Sequence, residues 1–191
     1  TLSTLSSREF STGMAELIKY GFIWDEEFLN WLEGKIDSIL LRDSKTLVKA
    51  VEWSCRIKAR IVEQDEKESG LRAILNFGHT IGHAIETVTS YSKYTHGEAV
   101  ALGMVCESKI AAKMGLVDNS LVTRLIDLLK KAGLPTSLAE SLPVDSIIEA
   151  MGHDKKNIGG AIVFVLPVAT GKVDIFKNVD MKIIEPTLRS I

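Results

Sequence analysis

The chain has 191 residues, of which 46% are hydrophobic and 25% are charged, and its formal net charge is −2. This composition is typical of a folded globular domain and excludes a disordered chain. Nucleic acid is a poor candidate partner because no long basic stretch occurs. No apolar run approaches the roughly 18 residues that cross a bilayer, so no membrane association is expected.

The N-terminal sequence Thr1-Leu2-Ser3-Thr4 has neither the basic start nor the apolar stretch of a secretion signal. The first residue is not Met, which suggests a fragment or a processed chain. The two cysteines, Cys55 and Cys106, lie in apolar stretches with helical periodicity, so we expect two small buried thiols and no disulfide. These features together predict a cytoplasmic protein.

Helical periodicity dominates the first two-thirds of the chain. Apolar residues recur at helical spacing from Met14 to Phe22 and predict an opening helix. Further helices are predicted at 25–33, 44–64, 78–90, 97–114 and 118–132, with a last short helix at 143–151. Two β-branched stretches, 161–166 and 173–176, flank a glycine-containing turn and predict a hairpin. The predicted fold is mainly α, a single multi-helix domain with a small C-terminal β-hairpin.

Two histidines stand one helical turn apart in the segment 72–86. On a helix, His79, His83 and Glu86 share one face, and apolar residues share the opposite face. Helical metal sites use this spacing, but alone it favours a solvated polar face with two ordinary histidines. Three of the four histidines fall within eighteen residues, however, and His96 directly precedes the most apolar helix. A metal site and a solvated face are then equally good interpretations.

Other charged residues also interrupt the apolar pattern. Lys58 lies on a helical stripe that is otherwise apolar and includes Val51, so it either extends past the core or points into a functional cavity. Glu16 and Lys19, three residues apart, fit a surface ion pair. The segment 154–157 is typical of a charged turn before a strand.

Three segments carry a family resemblance: GMAELIKYG at 13–21, LRAILNFGHTIGHAIE at 71–86 and HGEAVALGM at 96–104. They resemble the 3-dehydroquinate synthases, and the segments 65–70 and 154–156 fit the same pattern. The resemblance runs in order from residue 1 to about residue 176. It implies the C-terminal, metal- and substrate-binding domain of a sugar-phosphate cyclase, whose fold is shared with iron-type alcohol dehydrogenases.

The resemblance also implies a role for each candidate site residue. Glu16, His79 and His96 match the ligands of a divalent metal, zinc or cobalt, while His83, Glu68 and Lys19 match catalytic positions. Spacing alone would place His83 on the metal as well, whereas the resemblance gives it to substrate and proton handling. The implied substrate-binding residues are Lys58, Arg72, Asn76, Lys155 and Lys156, with one of the last two on the phosphate. Thr1, Leu2, Ser3 and Thr4 match a strand end that borders NAD.

The implied reaction is that of a carbon–oxygen lyase in the shikimate pathway. It converts the sugar phosphate 3-deoxy-D-arabino-heptulosonate 7-phosphate into 3-dehydroquinate and phosphate, with NAD regenerated in each cycle. NAD is implied to bind mainly an N-terminal α/β domain, and this chain has no G-x-G-x-x-G motif. We therefore expect residues 1–191 to be one C-terminal-type domain that requires this N-terminal domain, pairs as a homodimer and is inactive alone. Two alternatives stay open: another sugar-phosphate cyclase, and a metal-binding assembly module without turnover.

Overall fold

The computed structural model describes residues 2–65, 70–139, 142–152 and 162–191. Within these ranges the helices are α1 (Ser7–Ile23), α2 (Glu26–Leu40), α3 (Ser44–Gln64), α4 (His79–Val88), α5 (His96–Lys113), α6 (Asn119–Lys131), α7 (Val144–Gly152) and α8 (Met181–Leu188). Strands β1 (Val163–Ala169) and β2 (Lys172–Lys177) pair as an antiparallel hairpin, and short 3-10 helices cover Leu2–Thr4 and Leu71–Asn76. The structure confirms the mainly helical fold with a C-terminal hairpin.

Local capping fixes where helices α1 and α5 begin. At α1, the Ser6 side chain accepts from the amide of Glu9, whose carboxylate accepts from the amide of Ser6. Thr95 and Glu98 form the same reciprocal capping box at the start of α5. Because α5 starts immediately after Thr95, the backbone of His96 is fixed at the helix mouth.

Helix α5 lies at the centre of the fold and is buried on nearly all sides. Its Val100 and Met104 belong to a core formed mainly with α1, α2, α3 and α6. Its Leu102 and Cys106 belong to a second core formed with α4, α7, the hairpin and α8. Since α5 contributes to both cores, residues at its N-terminus are held by the whole domain.

The predicted end of α2 was wrong, and one helix was not predicted. Helix α2 continues to Leu40 rather than ending at residue 33, because Ile36 and Ile39 extend its buried face by another two turns. The helix at 143–151 is not the last one, since α8 follows the hairpin. Pro186 lies inside α8 and has no amide to donate to the helix. Because a proline normally indicates the end of a helix, the sequence pattern did not predict one there. No helix in the described part of the chain is both long and apolar enough to cross a bilayer.

Helix α3 has the predicted length, but some of the apolar positions expected on its buried face are exposed. Its buried residues are Leu47, Ala50, Ser54, Ile57 and Ile61. The stripe through Val51 and Lys58 faces outward, with Val51 43% exposed, so Lys58 does not interrupt a buried face. Cys55 lies on this outward face and is exposed, contrary to the expectation for that residue. Cys106 is the buried free thiol, and burial raises its pKa.

Candidate metal centre

Three helices bring a carboxylate and two imidazoles to one point. Glu16 lies in the middle of α1, while His79 and His96 are the first residues of α4 and α5. Their potential ligand atoms all lie within 4.8 Å of one another. Nε2 of His79 is 4.0 Å from Oε1 of Glu16, and the ring centroids of the two histidines are 5.2 Å apart. The three residues assigned to the metal by resemblance are therefore neighbours, and their role as ligands stays a prediction.

Close backbone contacts at two glycines make this convergence possible. A Cβ at Gly97 would lie 2.8 Å from the carbonyl carbon of Thr12 on α1, and closer still to its oxygen. A Cβ at Gly103 would lie 2.8 Å from the carbonyl carbon of Gly78 at the start of α4. Side chains at these positions would force α1 and α4 away from α5. The glycines therefore set the distances between the candidate ligands.

The candidate ligands border a cavity of about 300 Å³. Its lining residues are Glu16, Lys19, Tyr20, Lys58, Arg72, Leu75, Asn76, His79 and His96. The predicted substrate-binding residues that the structure describes are thus at the same cavity as the candidate metal ligands. Among the described lining residues, three carry a Lys or Arg side chain and one a carboxylate, and this excess of positive charge favours an anionic ligand.

The segment that carries Arg72 is fixed by a buried carboxylate. Oδ2 of Asp65 accepts the amide of Gly70 at 2.8 Å and the amide of Arg72 at 2.9 Å. The short 3-10 helix that follows presents Arg72 and Asn76, four residues apart, to the cavity. The backbone of this segment is therefore positioned by hydrogen bonds before any ligand binds.

Lys19 and Glu16 form an ion pair, but it is not the surface pair that their spacing suggests. Nζ of Lys19 is 3.0 Å from Oε1 and 2.8 Å from Oε2 of Glu16, and the Lys19 side chain is only 3% exposed. Desolvation makes the attraction within such a pair stronger than in a solvated one. The ammonium partly neutralises the candidate ligand carboxylate and places a positive charge beside His79.

The environment of His79 keeps its imidazole neutral. Burial lowers the pKa of His79 to about 3, and the positive charge of Lys19 contributes in the same direction. Nδ1 lies 3.1 Å from the carbonyl oxygen of Phe77, which accepts a hydrogen bond from Nδ1–H and so leaves the lone pair on Nε2. A neutral imidazole with a free lone pair on Nε2 is the form that binds a metal.

His96 is oriented by a carboxylate whose contribution the sequence analysis did not identify. Nδ1 of His96 lies 3.1 Å from Oε1 of Glu86, and the Glu86 side chain is 8% exposed. Metal-binding histidines typically donate their second ring N–H to such a group, which fixes the tautomer. Glu86 is buried, so of the two interpretations left open the solvated polar face does not hold at this residue. Its position on the histidine face of α4 is the signal that could have revealed this contact.

His83 is adjacent to the candidate ligands. Its ring centroid is 5.3 Å from that of His79 and 6.1 Å from that of His96. Its ligand atoms form a second group with Glu86 and His96, rather than joining Glu16 and His79. His83 is thus next to the candidate ligands but separate from the main group, and its role in proton handling stays a prediction.

Tyr20 is a lining residue that sequence reasoning missed. It lies one turn after Glu16 on the same face of α1, and that i,i+4 relation could have identified it. Burial, followed by the negative charge of Glu16, raises the pKa of Tyr20 to about 12. The phenol therefore stays protonated at neutral pH and can donate a hydrogen bond.

The described part of the chain does not place every predicted site residue at this cavity. Glu68, Lys155, Lys156 and Thr1 lie outside the described residues, as does the side chain of Ser3. Residues Leu2–Thr4 form a 3-10 helix and not the expected strand end, since a strand needs a partner for its backbone groups and the described strands pair only with each other. Leu2 lines a different groove, beside Arg42 and Val48.

The family model for the C-terminal domain of 3-dehydroquinate synthase matches residues 13–157 of this chain. The chain belongs to the 3-dehydroquinate synthase family. It is 50% identical over 179 residues to the 3-dehydroquinate synthase of Desulforamulus reducens, covering 94% of this chain and 50% of that protein. It is 47% identical over 187 residues to the 3-dehydroquinate synthase of a Shewanella species, covering 98% and 52%. The chain thus spans about half the length of these curated relatives.

Solved structures of related cyclases share the fold. A 2-epi-5-epi-valiolone synthase from Streptomyces hygroscopicus with NAD⁺ and Zn²⁺ bound matches with a TM-score of 0.89 at 25% identity, covering 99% of this chain and 52% of that one. A 2-deoxy-scyllo-inosose synthase complexed with carbaglucose-6-phosphate, NAD⁺ and Co²⁺ matches with a TM-score of 0.86 at 28% identity, covering 98% and 54%. The 3-dehydroquinate synthases are thus the more similar relatives in sequence, at nearly twice the identity.

Proposed function

We propose that this chain is the metal- and substrate-binding half of a 3-dehydroquinate synthase. The observation that carries the proposal is the convergence of Glu16, His79 and His96 beside a cavity lined by basic residues. The 47–50% identity to 3-dehydroquinate synthases, against 25–28% to the two solved cyclases, favours this substrate over that of another cyclase. The proposed substrate is 3-deoxy-D-arabino-heptulosonate 7-phosphate.

The donor set fits a divalent metal. Two neutral imidazoles and one carboxylate leave net positive charge and an open coordination position, as catalytic zinc sites do, and nitrogen and oxygen ligands suit cobalt as well. When bound, the metal would supply Lewis-acid polarisation of a substrate hydroxyl. The Glu86 contact to His96 and the neutral state of His79 both support this assignment, because they present ring nitrogens with free lone pairs.

The basic residues of the cavity would bind the anionic groups of the substrate. Arg72 can form paired hydrogen bonds to a carboxylate or phosphate, while Lys58 supplies a mobile point charge. Asn76 offers both a donor and an acceptor for hydroxyls. Lys19, held against Glu16, and the adjacent His83 would handle protons at the reacting carbons. This division of tasks would position one flexible substrate in a single conformation.

NAD would bind mainly to the part of the full-length enzyme that this chain does not span. The relatives are about twice as long, and the two solved cyclases carry NAD⁺. The enzyme would act as a carbon–oxygen lyase, with the nicotinamide supplying hydride acceptance and return. Homodimer formation, implied by the family resemblance, and a cytoplasmic location, in keeping with two free cysteines, are further parts of this proposal.

Metal analysis of the purified chain tests the proposed centre. We expect one zinc per chain in the wild type and loss of zinc in His79→Ala, with the helical circular dichroism signal retained. Unchanged zinc content in that variant would refute the assignment of the ligands.

Turnover assays test the enzymatic part of the proposal. The chain should show little or no formation of 3-dehydroquinate alone, and activity should require a protein that also carries the NAD-binding half. Calorimetry with the isolated chain should show tighter binding of 3-deoxy-D-arabino-heptulosonate 7-phosphate than of glucose 6-phosphate. The reverse preference would favour another cyclase.

A further inference from the structure

Glu107 is a buried acid that the proposed chemistry does not use. It lies on the central helix α5, is 0% exposed and does not line the cavity. Its Oε2 accepts the backbone amide of Gly78 at 2.6 Å, while Oε1 has no hydrogen-bond partner within the described part of the chain. A buried carboxyl group is costly to retain without a function, so its contacts need an explanation.

Those contacts are at the N-terminus of α4. The N-cap residue of α4 is Gly78, which has no side chain to accept the exposed amides of the first turn. Burial raises the pKa of Glu107 well above its ordinary value, and the backbone amides of Gly78, Ile81 and Thr80 act in the opposite direction. Thr80 and Ile81 are the second and third residues of α4, the positions that an N-cap side chain normally serves. Glu107 therefore provides from a second helix the cap that Gly78 cannot provide.

This remote cap connects the two helices that carry the candidate imidazoles. His79 is the first residue of α4, directly after Gly78, and His96 is the first residue of α5. The hydrogen bond from Gly78 to Glu107 fixes the start of α4 relative to α5 along the helix axes. Close packing of Gly103 on Gly78 sets the distance between α4 and α5. It does not prevent α4 from sliding along α5, so that motion must be restrained by polar contacts.

We propose that Glu107 is a positioning residue of the metal centre, which caps α4 from α5 and so fixes His79 relative to His96. The inference rests on the proposed role of Glu16, His79 and His96 as metal ligands. The role requires an acceptor oxygen opposite Gly78 and not a particular charge. Glu107→Gln retains that acceptor with nearly the same shape, whereas Glu107→Ala leaves the amides of the first turn of α4 without a partner.

Zinc affinity of the purified chain, measured by competition with a chromophoric chelator, tests this role. Glu107→Ala should bind zinc about 10- to 100-fold more weakly, the loss typical when a group that orients a ligand is removed. Glu107→Gln should restore an affinity close to that of the wild type. The neighbouring buried Ser108, whose hydroxyl also has no hydrogen-bond partner in the described residues, gives a matched control, and Ser108→Ala should bind zinc normally. Wild-type affinity in Glu107→Ala, or equal losses in Glu107→Ala and Glu107→Gln, would overturn the proposal.

The absorption spectrum of the Co²⁺-loaded chain reports ligand geometry directly. It should change in Glu107→Ala and be restored in Glu107→Gln, whereas a purely structural role would lower thermal stability without altering the spectrum. If Glu107→Ala does not fold, Glu107→Asp takes its place, because it retracts the oxygens by one methylene. A wild-type spectrum and affinity in Glu107→Asp would then refute the role.

His79→Ala, measured alongside Glu107→Ala, distinguishes a failure of the proposed metal centre from a failure of the positioning role of Glu107. Zinc binding that survives in both variants contradicts the metal centre itself. Zinc binding lost in His79→Ala but normal in Glu107→Ala contradicts only the positioning role.

Discussion

Replacing Gly97 with Ala should disturb the candidate metal centre without touching any of its side chains. Gly97 follows His96 on α5 and packs on the backbone of Thr12, one turn before Glu16 on α1. The added Cβ would lie 2.8 Å from the carbonyl carbon of Thr12, whereas ordinary contact begins near 3.4 Å. The helices must therefore separate by at least about 0.6 Å, and the carbonyl oxygen requires more.

The magnitude follows from the nature of this contact. A backbone carbonyl cannot rotate away, so the cost should be near the upper end of the roughly 1–3 kcal/mol seen for overpacking. The higher helix propensity of Ala offsets about 1 kcal/mol. The remaining roughly 2 kcal/mol corresponds to a fall in Tm of about 4–8 °C for a chain of this size. Metal–ligand distances tolerate only about 0.2 Å, so zinc affinity should fall by at least about tenfold.

Gly13 provides the matched control, since it lies inside α1 at a point where an added Cβ would meet no side chain and no neighbouring helix within 4 Å. Gly13→Ala should raise Tm by roughly 2–4 °C through helix propensity alone and leave zinc binding unchanged. Thermal denaturation and chelator competition on both variants provide the test. If Gly97→Ala matches Gly13→Ala in both measurements, close packing of α1 on α5 does not set the geometry of the site.

Three further predictions concern side chains around the cavity. Lys58→Ala should weaken binding of the sugar phosphate by about 10-fold or more, because a hydrogen bond from a charged group is lost. Lys45 is exposed on the same helix and lies outside the cavity, so Lys45→Ala should leave binding unchanged, and calorimetry measures both variants. Glu86→Gln should lower zinc affinity by about 10-fold or more with the fold retained, because the oriented contact to His96 loses its charge, and chelator competition checks this. The third prediction concerns pH. The pKa of His79 is about 3 in the folded chain and 6.5 in an unfolded one, so between pH 3 and 6.5 the unfolded chain binds more protons than the folded chain. Stability of the metal-free chain should therefore fall as pH drops from 6.5 towards 3, and His79→Gln should reduce this dependence in urea unfolding curves.

The sequence predicted those features that depend on local patterns. The bounds of α3 agree with the prediction at 44–64, because its periodicity is sustained and Asp43 caps its start. The buried face of α3 was predicted only in part, since Val51 is apolar yet exposed, and periodicity alone does not say which apolar residues meet the core. Helix α8 was missed because the proline inside it is a strong local signal against a helix, which tertiary packing overrides.

The candidate site shows the same division between local and non-local information. Spacing identified His79 and His83, which lie on one helix, but nothing local connects them with Glu16 on α1. That connection came from the family resemblance. The contacts of Glu86 and Glu107 were missed because each depends on a second segment whose position only the packed helices define.

The placement of His79 and His96 at the first positions of α4 and α5 has a consequence for which ligands bind together. Aligned peptide dipoles give each helix start a partial positive charge of roughly half a unit. Two such starts beside the site oppose a lone cation and attract anions. If the site binds a divalent metal as proposed, we expect the metal and an anionic ligand each to increase the affinity for the other.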